Sequence, residues 1–389
     1  MTATIAIEGT CDHRFRAVRE AFAENFASKD EVGASVAVMV DGEMVVDLWA
    51  GTADQAGTRP WERDTIVNVY SSTKGMTALC AHHLVDKGLL ELDAPVARYW
   101  PEFAQAGKEG LLVRWLLSHQ AGLPAVRQPL PRGSLYQWDT MTAALAAQEP
   151  WWEPGAKHGY HALTFGFLVG EVVRRVSGRS LGTYFREEIA EPLGVDFHIG
   201  LAAEHDGRTA ETIQPPPRPP KERSLGEKLL SDPESMPFKV FANPPDALIP
   251  GHMNTREWRA AEIPAANGHG NARALARVYG ALARGGELDG VRILSPATIE
   301  QAIVEQANGP DAVLGMATRL GLGFFLSMPG YPLGPNPRSF GVPGGGGSLG
   351  FADPDAKVGF GYAMNRMGAG SIRKDPRQPP LVDAVYASL

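Results

Sequence analysis

Cysteine is almost absent from this chain. Cys11 and Cys80 are the only two in 389 residues, far apart and in neither a metal-ligand nor a redox spacing. That excludes a disulfide framework. No apolar run reaches the roughly 18 residues a membrane-crossing helix needs. The opening MTATIAIEGTCDHRF lacks the basic stretch followed by an apolar stretch that marks a secretory leader. A cytoplasmic protein with no membrane partner is therefore the expectation. Basic charge is also short: 37 Lys and Arg face 44 Asp and Glu, a net charge of -7. Such a surface has no general attraction for phosphate backbones, so no nucleic-acid partner is expected. The ten histidines contain no H-E-x-x-H. His158 and His161, three apart, and the adjacent His82 and His83 do not make a ligand set, so neither a metal nor a cofactor is expected.

Glycine and proline are abundant, at 44 and 31, and 44% of the residues are hydrophobic. This composition suits a globular body with shaped loops around a cleft. The length fits one large catalytic unit or two domains sharing a core. Phe15, Val18, Phe22 and Phe26 recur at helical spacing behind Asp12, a capping residue, and predict a helix lying on a sheet. Gly33 to Val40 and Met44 to Trp49 flank Asp41-Gly42, a hairpin turn. Ile66 to Tyr70 reads as extended, and Ser71 to Lys87 as a helix. From about Leu89 the pattern turns helical: Leu111 to Ser118, Thr140 to Gln148, Thr164 to Val176 closed by Gly178, and Leu181 to Ile189. Pro215 to Pro220 can enter neither a helix nor a central strand. Ala272 to Gly285 is again helical. Gly321 to Leu326, Ser348 to Ala352 and Val358 to Met364 are extended, the last two joined at Asp353-Pro354-Asp355. The expected division is a sheet domain from 1–88 and 250–389, with a mostly helical domain at 89–249 lining a cleft with long loops.

Three local strings carry chemistry. Ser71-Ser72-Thr73-Lys74 is an S-x-x-K: at the start of a helix the spacing puts serine and lysine on one face, and burial of the lysine turns it towards proton acceptance. Alone, the string also fits a helix cap with a surface lysine. Tyr160, after Trp152-Glu153-Pro154-Gly155, can reach back to manage the serine proton, or can be a structural aromatic. Val342-Pro343 followed by Gly344, Gly345, Gly346 and Gly347 makes a glycine-lined edge along which a substrate can lie and from which a backbone N–H can face an oxyanion. Gly346-Gly347-Ser348-Leu349-Gly350 spells G-x-S-x-G. It lacks the preceding strand, the following helix and any histidine beyond His269 that a nucleophile elbow requires. The overlapping G-x-G-x-x-G has no helix behind it and is a weak dinucleotide signal.

Taken in order, these strings resemble the serine β-lactamase and penicillin-binding-protein superfamily, most closely the family VIII carboxylesterases with a class C β-lactamase-like fold. DTIVNVYSSTKGMTA at 64–78, WLLSHQAGLP at 115–124, PGAKHGYHALTFGFLVGEVVRRVSG at 154–178 and GGGGSLGFADP at 344–354 carry the likeness across nearly the whole chain. The resemblance implies an α/β plus α fold, an antiparallel sheet flanked by helices with an inserted mostly helical domain. It implies Ser71 as the acylated nucleophile, Lys74 and Tyr160 as its proton-transfer partners, and the N–H groups of Ser71 and Gly345 as the oxyanion pair. Two positions depart from the family pattern. Ala162 stands where the tyrosine motif has asparagine, and Val342-Pro343-Gly344 stands where lactamases have K-T-G. The missing amide, cation and hydroxyl point to neutral esters rather than carboxylate-bearing substrates. The expected activity is hydrolysis of short- to medium-chain carboxylic esters, a small-molecule substrate. A lactamase, an amidase or D-peptidase, an acyltransferase and a silent binding scaffold are the alternatives, and the oligomeric state is left open. Tyr136, Trp138, Trp152, His161, Val342, Gly344 and Gly346 are the expected substrate-binding residues. Trp138 and Trp152 fit domain core equally well, and His161 either tunes the cleft or turns away from it.

Overall fold

Residues 33–40, GASVAVMV, form a strand buried at every position but the last, because both faces of the sheet around it are covered. Described by a computed structural model are residues 5–215, 231–331, 333–368 and 375–389. Nine antiparallel strands make the main sheet: β1 (Ile7–Cys11), β2 (Gly33–Val40), β3 (Glu43–Gly51), β9 (Ala307–Pro310), β10 (Ala317–Leu320), β11 (Phe325–Leu326), β12 (Phe340–Pro343), β13 (Leu349–Asp353) and β14 (Val358–Met364). Their order is β1-β3-β2-β14-β13-β12-β11-β10-β9, so the two ends of the chain meet where β2 pairs with β14. A second sheet joins β4 (Val67–Asn68), β6 (His269–Gly270) and β5 (Phe197–His198), and β7 (Glu287–Leu288) with β8 (Val291–Arg292) is a separate hairpin.

One face of the main sheet is covered by α1 (Arg16–Ser28) and α6 (Gln378–Tyr386). Phe15, Val18 and Phe22 close there on Val36, Val38, Phe360 and Leu381. The other face takes α2 (Thr73–Asp86) and α5 (Ala272–Ala283), with Ala37, Met39, Leu275 and Val342 in one large core. Glycines in β14 set the depth of α5: a Cβ on Gly361 would lie 2.0 Å from the Ala272 carbonyl oxygen. A mostly helical region, 138–260, is inserted between the sheet-forming parts. It includes α3 (Trp138–Ala147) and α4 (Thr164–Ser177), the latter stopped by Gly178 at φ 72°.

The expected hairpin lies at Asp41-Gly42, both at positive φ, as a primed turn requires. Asp12 does cap, but through a short 3-10 turn, His13–Phe15, that precedes α1. Leu181 to Ile189 is helical but changes pitch, becoming a π turn over Arg186–Ala190. β1, β9 and β10 went unread in the sequence; neither β1 nor β9 has a buried position, and both lack an apolar alternation. The run Pro216 to Pro220 lies outside the described residues. Cys11 and Cys80 are free thiols. Among the described residues no helix is long and apolar enough to cross a membrane, and no cluster of metal-ligating side chains occurs.

Candidate active site

The helix expected from Ser71 begins two residues later, at Thr73. Tyr70 takes a left-handed conformation, φ 46°, which ends the extended approach from β4 and turns the chain sharply. The Thr73 hydroxyl locks this turn, donating to the Tyr70 carbonyl at 2.5 Å and accepting the Gly268 N–H at 2.8 Å. Ser71 therefore stands on the turn, 9% exposed, with Lys74 in the first helical turn behind it.

Three side chains converge. The Tyr160 hydroxyl donates to Ser71 Oγ at 2.7 Å, and Lys74 Nζ lies 3.2 Å from the same oxygen. Lys74 Nζ also donates to the carbonyls of Ala162 at 2.7 Å and Ala265 at 2.8 Å, one from the tyrosine loop and one from the segment before β6. It is 1% exposed, and none of its hydrogen-bond partners is a carboxylate. Burial holds its ammonium well below the ordinary lysine range. Burial likewise pushes the Tyr160 phenol up, only partly offset by its bond to Ser71. Both shifts favour the uncharged forms, a free amine and a phenol. The amine nitrogen lies 4.7 Å from the centre of the Tyr160 ring, over its face, which favours the cation when a proton arrives.

Tyr160 is held from behind by residues with no motif in the sequence. Asp311, 3% exposed, accepts the Tyr160 N–H at 3.0 Å and those of Val313 and Leu314 at 2.8 Å each. His119, φ 59°, packs at a tilt against the Tyr160 ring, centroids 5.1 Å apart, and accepts the His161 N–H at 3.1 Å. An aspartate in a Gly-Pro-Asp turn looks like ordinary loop chemistry, so only the fold reveals it.

The glycine segment docks directly on the nucleophile turn. The Ser348 hydroxyl donates to the Val69 carbonyl at 2.7 Å, the Ser72 hydroxyl to the Val342 carbonyl at 3.1 Å, and the two hydroxyls lie 3.1 Å apart. Ser72 and Ser348, unassigned from sequence, are the stitches. Gly344 has no room for a side chain: a Cβ would sit 2.0 Å from Ser348 Oγ and 2.3 Å from the Val69 oxygen. The Gly347 N–H donates to the Gly344 carbonyl at 3.2 Å. In a trans peptide this turns the Gly345 N–H to the opposite side, and Gly345 lies over the Tyr70 ring. Among the described residues neither the Ser71 nor the Gly345 N–H has an acceptor.

Of the expected substrate-binding residues, Gly344, Gly346 and Trp152 lie beside this constellation, Trp152 packing on Gly159 and edge-on to His161 at 6.3 Å. Three others have their side chains engaged elsewhere. Trp138 faces away into the helical region: its indole N–H donates to Glu171 at 2.7 Å and its ring packs on Phe167 and Gly170. His161 is fully buried with both ring nitrogens used on backbone, Nδ1 to the Gly159 carbonyl at 2.6 Å and Nε2 accepting the Leu123 N–H at 3.0 Å. Val342 is buried in the core, its side chain facing Gly75, and contributes only its carbonyl to Ser72. Tyr136 is half-buried beside the Asp246 segment of the inserted region.

The Beta-lactamase family model matches residues 18–382. A Mycobacterium tuberculosis protein, esterase/β-lactamase LipL, is 40% identical over 92% of this chain and 83% of its own. The crystal structure of a family VIII carboxylesterase superposes with a TM-score of 0.90 at 46% identity, covering 99% of this chain and all of the other. A penicillin-binding-protein homologue from Caulobacter crescentus superposes equally well, TM-score 0.90 at 42% identity, with the same coverage. Since the likeness runs from end to end in both sequence and fold, the chain belongs to the β-lactamase and penicillin-binding-protein superfamily, in the branch of the family VIII carboxylesterases.

Proposed function

We propose that this serine hydrolase is a carboxylesterase acting on short- to medium-chain esters through an acyl-enzyme on Ser71. The observation that carries the reading is the meeting of Tyr160 OH and Lys74 Nζ on one hydroxyl, at 2.7 and 3.2 Å. Lys74 as a free amine has two N–H groups, and two carbonyls take them. Its lone pair then faces Ser71 Oγ, which makes it the base. Ser71 attacks the ester carbonyl as its proton passes to Lys74, and the oxyanion forms against the N–H groups of Ser71 and Gly345. Tyr160 gives its proton to the leaving alkoxide and is reprotonated by Lys74. Water repeats the sequence on the acyl-enzyme.

Preference for esters over lactams rests on Val342 and Ala162. An apolar, buried Val342 cannot hold a substrate carboxylate, and the lost cation is worth about 1–3 kcal/mol where such a bond is charge-assisted. The names of the relatives, a carboxylesterase and an esterase/β-lactamase, support the same order, the second keeping lactam cleavage as the runner-up. Two free thiols support residence in the reducing cytoplasm. The deciding assay compares kcat/KM for p-nitrophenyl butyrate and for a chromogenic cephalosporin. The ester is expected to be the faster; a faster lactam overturns the assignment.

A further inference from the structure

Four consecutive glycines, 344–347, form the most adaptable backbone a chain can have. An oxyanion donor works only if it is fixed before the reaction. Gly345 has no side chain to fix it, and Gly346 and Gly347 sit at φ 83° and 124°. Its order must come from the loop's own turn and from the groups that grip the two carbonyls that follow it.

Those grips come from the start of α6. Arg377 is 2% exposed, and each of its five N–H donors meets an acceptor. Nη2 donates to the Gly346 carbonyl and to Asp375 Oδ2, both at 2.6 Å; Nε donates to Asp375 Oδ1 at 2.8 Å; Nη1 donates to Glu31 and to the Arg366 carbonyl, both at 2.9 Å. The Gly368 N–H adds a second donor to the Gly346 carbonyl at 2.8 Å. Next along the chain, Gln378 Nε2 donates to the Gly347 carbonyl at 2.7 Å. The network is anchored in the sheet, since the Tyr362 hydroxyl of β14 bonds Glu31. A Cβ on Gly347 would strike Asp375 and Arg377 at 2.5 and 2.7 Å, so the loop lies flush against the network.

We propose that Arg377 and Gln378 are positioning residues that clamp two successive glycine carbonyls and thereby pre-orient the Gly345 N–H towards the oxyanion. The inference rests on the acyl-enzyme reading above. Neither residue touches the reacting atoms; each acts through the loop. The clamp explains how a donor on a polyglycine segment is available without rearrangement, and why a buried arginine with two carboxylates sits some distance in sequence from the site it serves.

The test uses the full chain, with Arg377→Lys and Gln378→Ala measured separately, an oxoester and the matching thionoester as substrates, and active sites counted by phosphonate titration. Loosening a backbone donor is expected to lower kcat on the oxoester by about ten- to a hundredfold while KM changes little. The thionoester, whose sulfur anion gains less from the hole, should lose less, so the oxoester-to-thionoester ratio falls in both variants. Equal losses on both substrates, or unchanged turnover per titrated site, overturn the proposal. Gln378→Ala removes a neutral bond only, so it decides the matter if Arg377→Lys does not fold. Failure of the unmodified protein to turn over the oxoester would instead count against the esterase reading itself.

Discussion

Lys74 has its charge decided by its surroundings: buried, with two carbonyls and one hydroxyl as partners and no acid among them. A lysine whose folded pKa lies below its ordinary value is neutral over a wider pH range. The acid limb of kcat/KM should therefore rise and reach its plateau well below pH 10.5, the ordinary value for the group. A limb still climbing through pH 10 would contradict a neutral-amine base. Asp311 makes a second prediction at this scale. Asp311→Ala leaves three N–H groups, two of them buried, without their acceptor and should cost about 1–3 kcal/mol of stability. By freeing the Tyr160 backbone it should also cut turnover about tenfold through misplacement of the phenol. Denaturant melts and steady-state rates check the two effects, and wild-type values in both would show that the carboxylate does not hold Tyr160. That Ser71, Lys74 and Tyr160 would meet was legible because family likeness links strings far apart in the chain. Asp311 was not, because its role exists only where β9 and its following loop meet the tyrosine loop.

The turn Val69–Ser72 and the strand end Val342–Ser348 function as one unit, stitched by two serine hydroxyls. Gly344→Ala tests that unit. Its φ of -105° suits alanine, so the substitution fails on space alone, against Ser348 Oγ and the Val69 oxygen. Displacing the glycine loop should lower kcat about tenfold or more with an unchanged secondary-structure spectrum; normal kcat would show that the loop has slack. Elements with strong periodicity were legible, as α4 with its Gly178 stop and the β2–β3 hairpin show. The exact start of α2 was not: the S-x-x-K string looks helical from Ser71, whereas the left-handed Tyr70 and the Thr73 lock withhold two residues from the helix. That displacement leaves Ser71 on the turn, ahead of the helix. Edge strand β9 stayed hidden because its backbone pairing, rather than an apolar face, defines it.

Across the molecule, burial of uncharged histidines sets the response to acid. His82, His119, His161 and His269 are all held below the usual 6.5, His161 and His269 to about 3, with desolvation as the leading cause. Between those values the unfolded chain binds protons that the fold excludes, so stability is lost as pH falls through 6.5 towards 3. Each such group contributes up to about 1.4 kcal/mol per pH unit in that window. Glu31 works in the opposite sense: burial raises it to about 7, so it favours the fold at lower pH across 4.5 to 7. Four histidines outweigh one glutamate, and the urea midpoint is expected to drop between pH 7 and pH 5; a flat or rising midpoint would contradict the buried neutral histidines. The sheet, its two helical covers and the inserted helical region followed from composition, periodicity and resemblance, while the positioning of individual cleft side chains did not. Trp138 illustrates the reason: an aromatic at a helix start has the same local sequence whether it faces a ligand or Glu171.

The most direct test of the central claim is the mass of the protein quenched during turnover of p-nitrophenyl butyrate. One added butyryl group is predicted, on the peptide carrying Ser71, and none in Ser71→Ala, which should also lose nearly all turnover while remaining folded. Turnover retained by Ser71→Ala, or an acyl group found on another residue, would contradict the account.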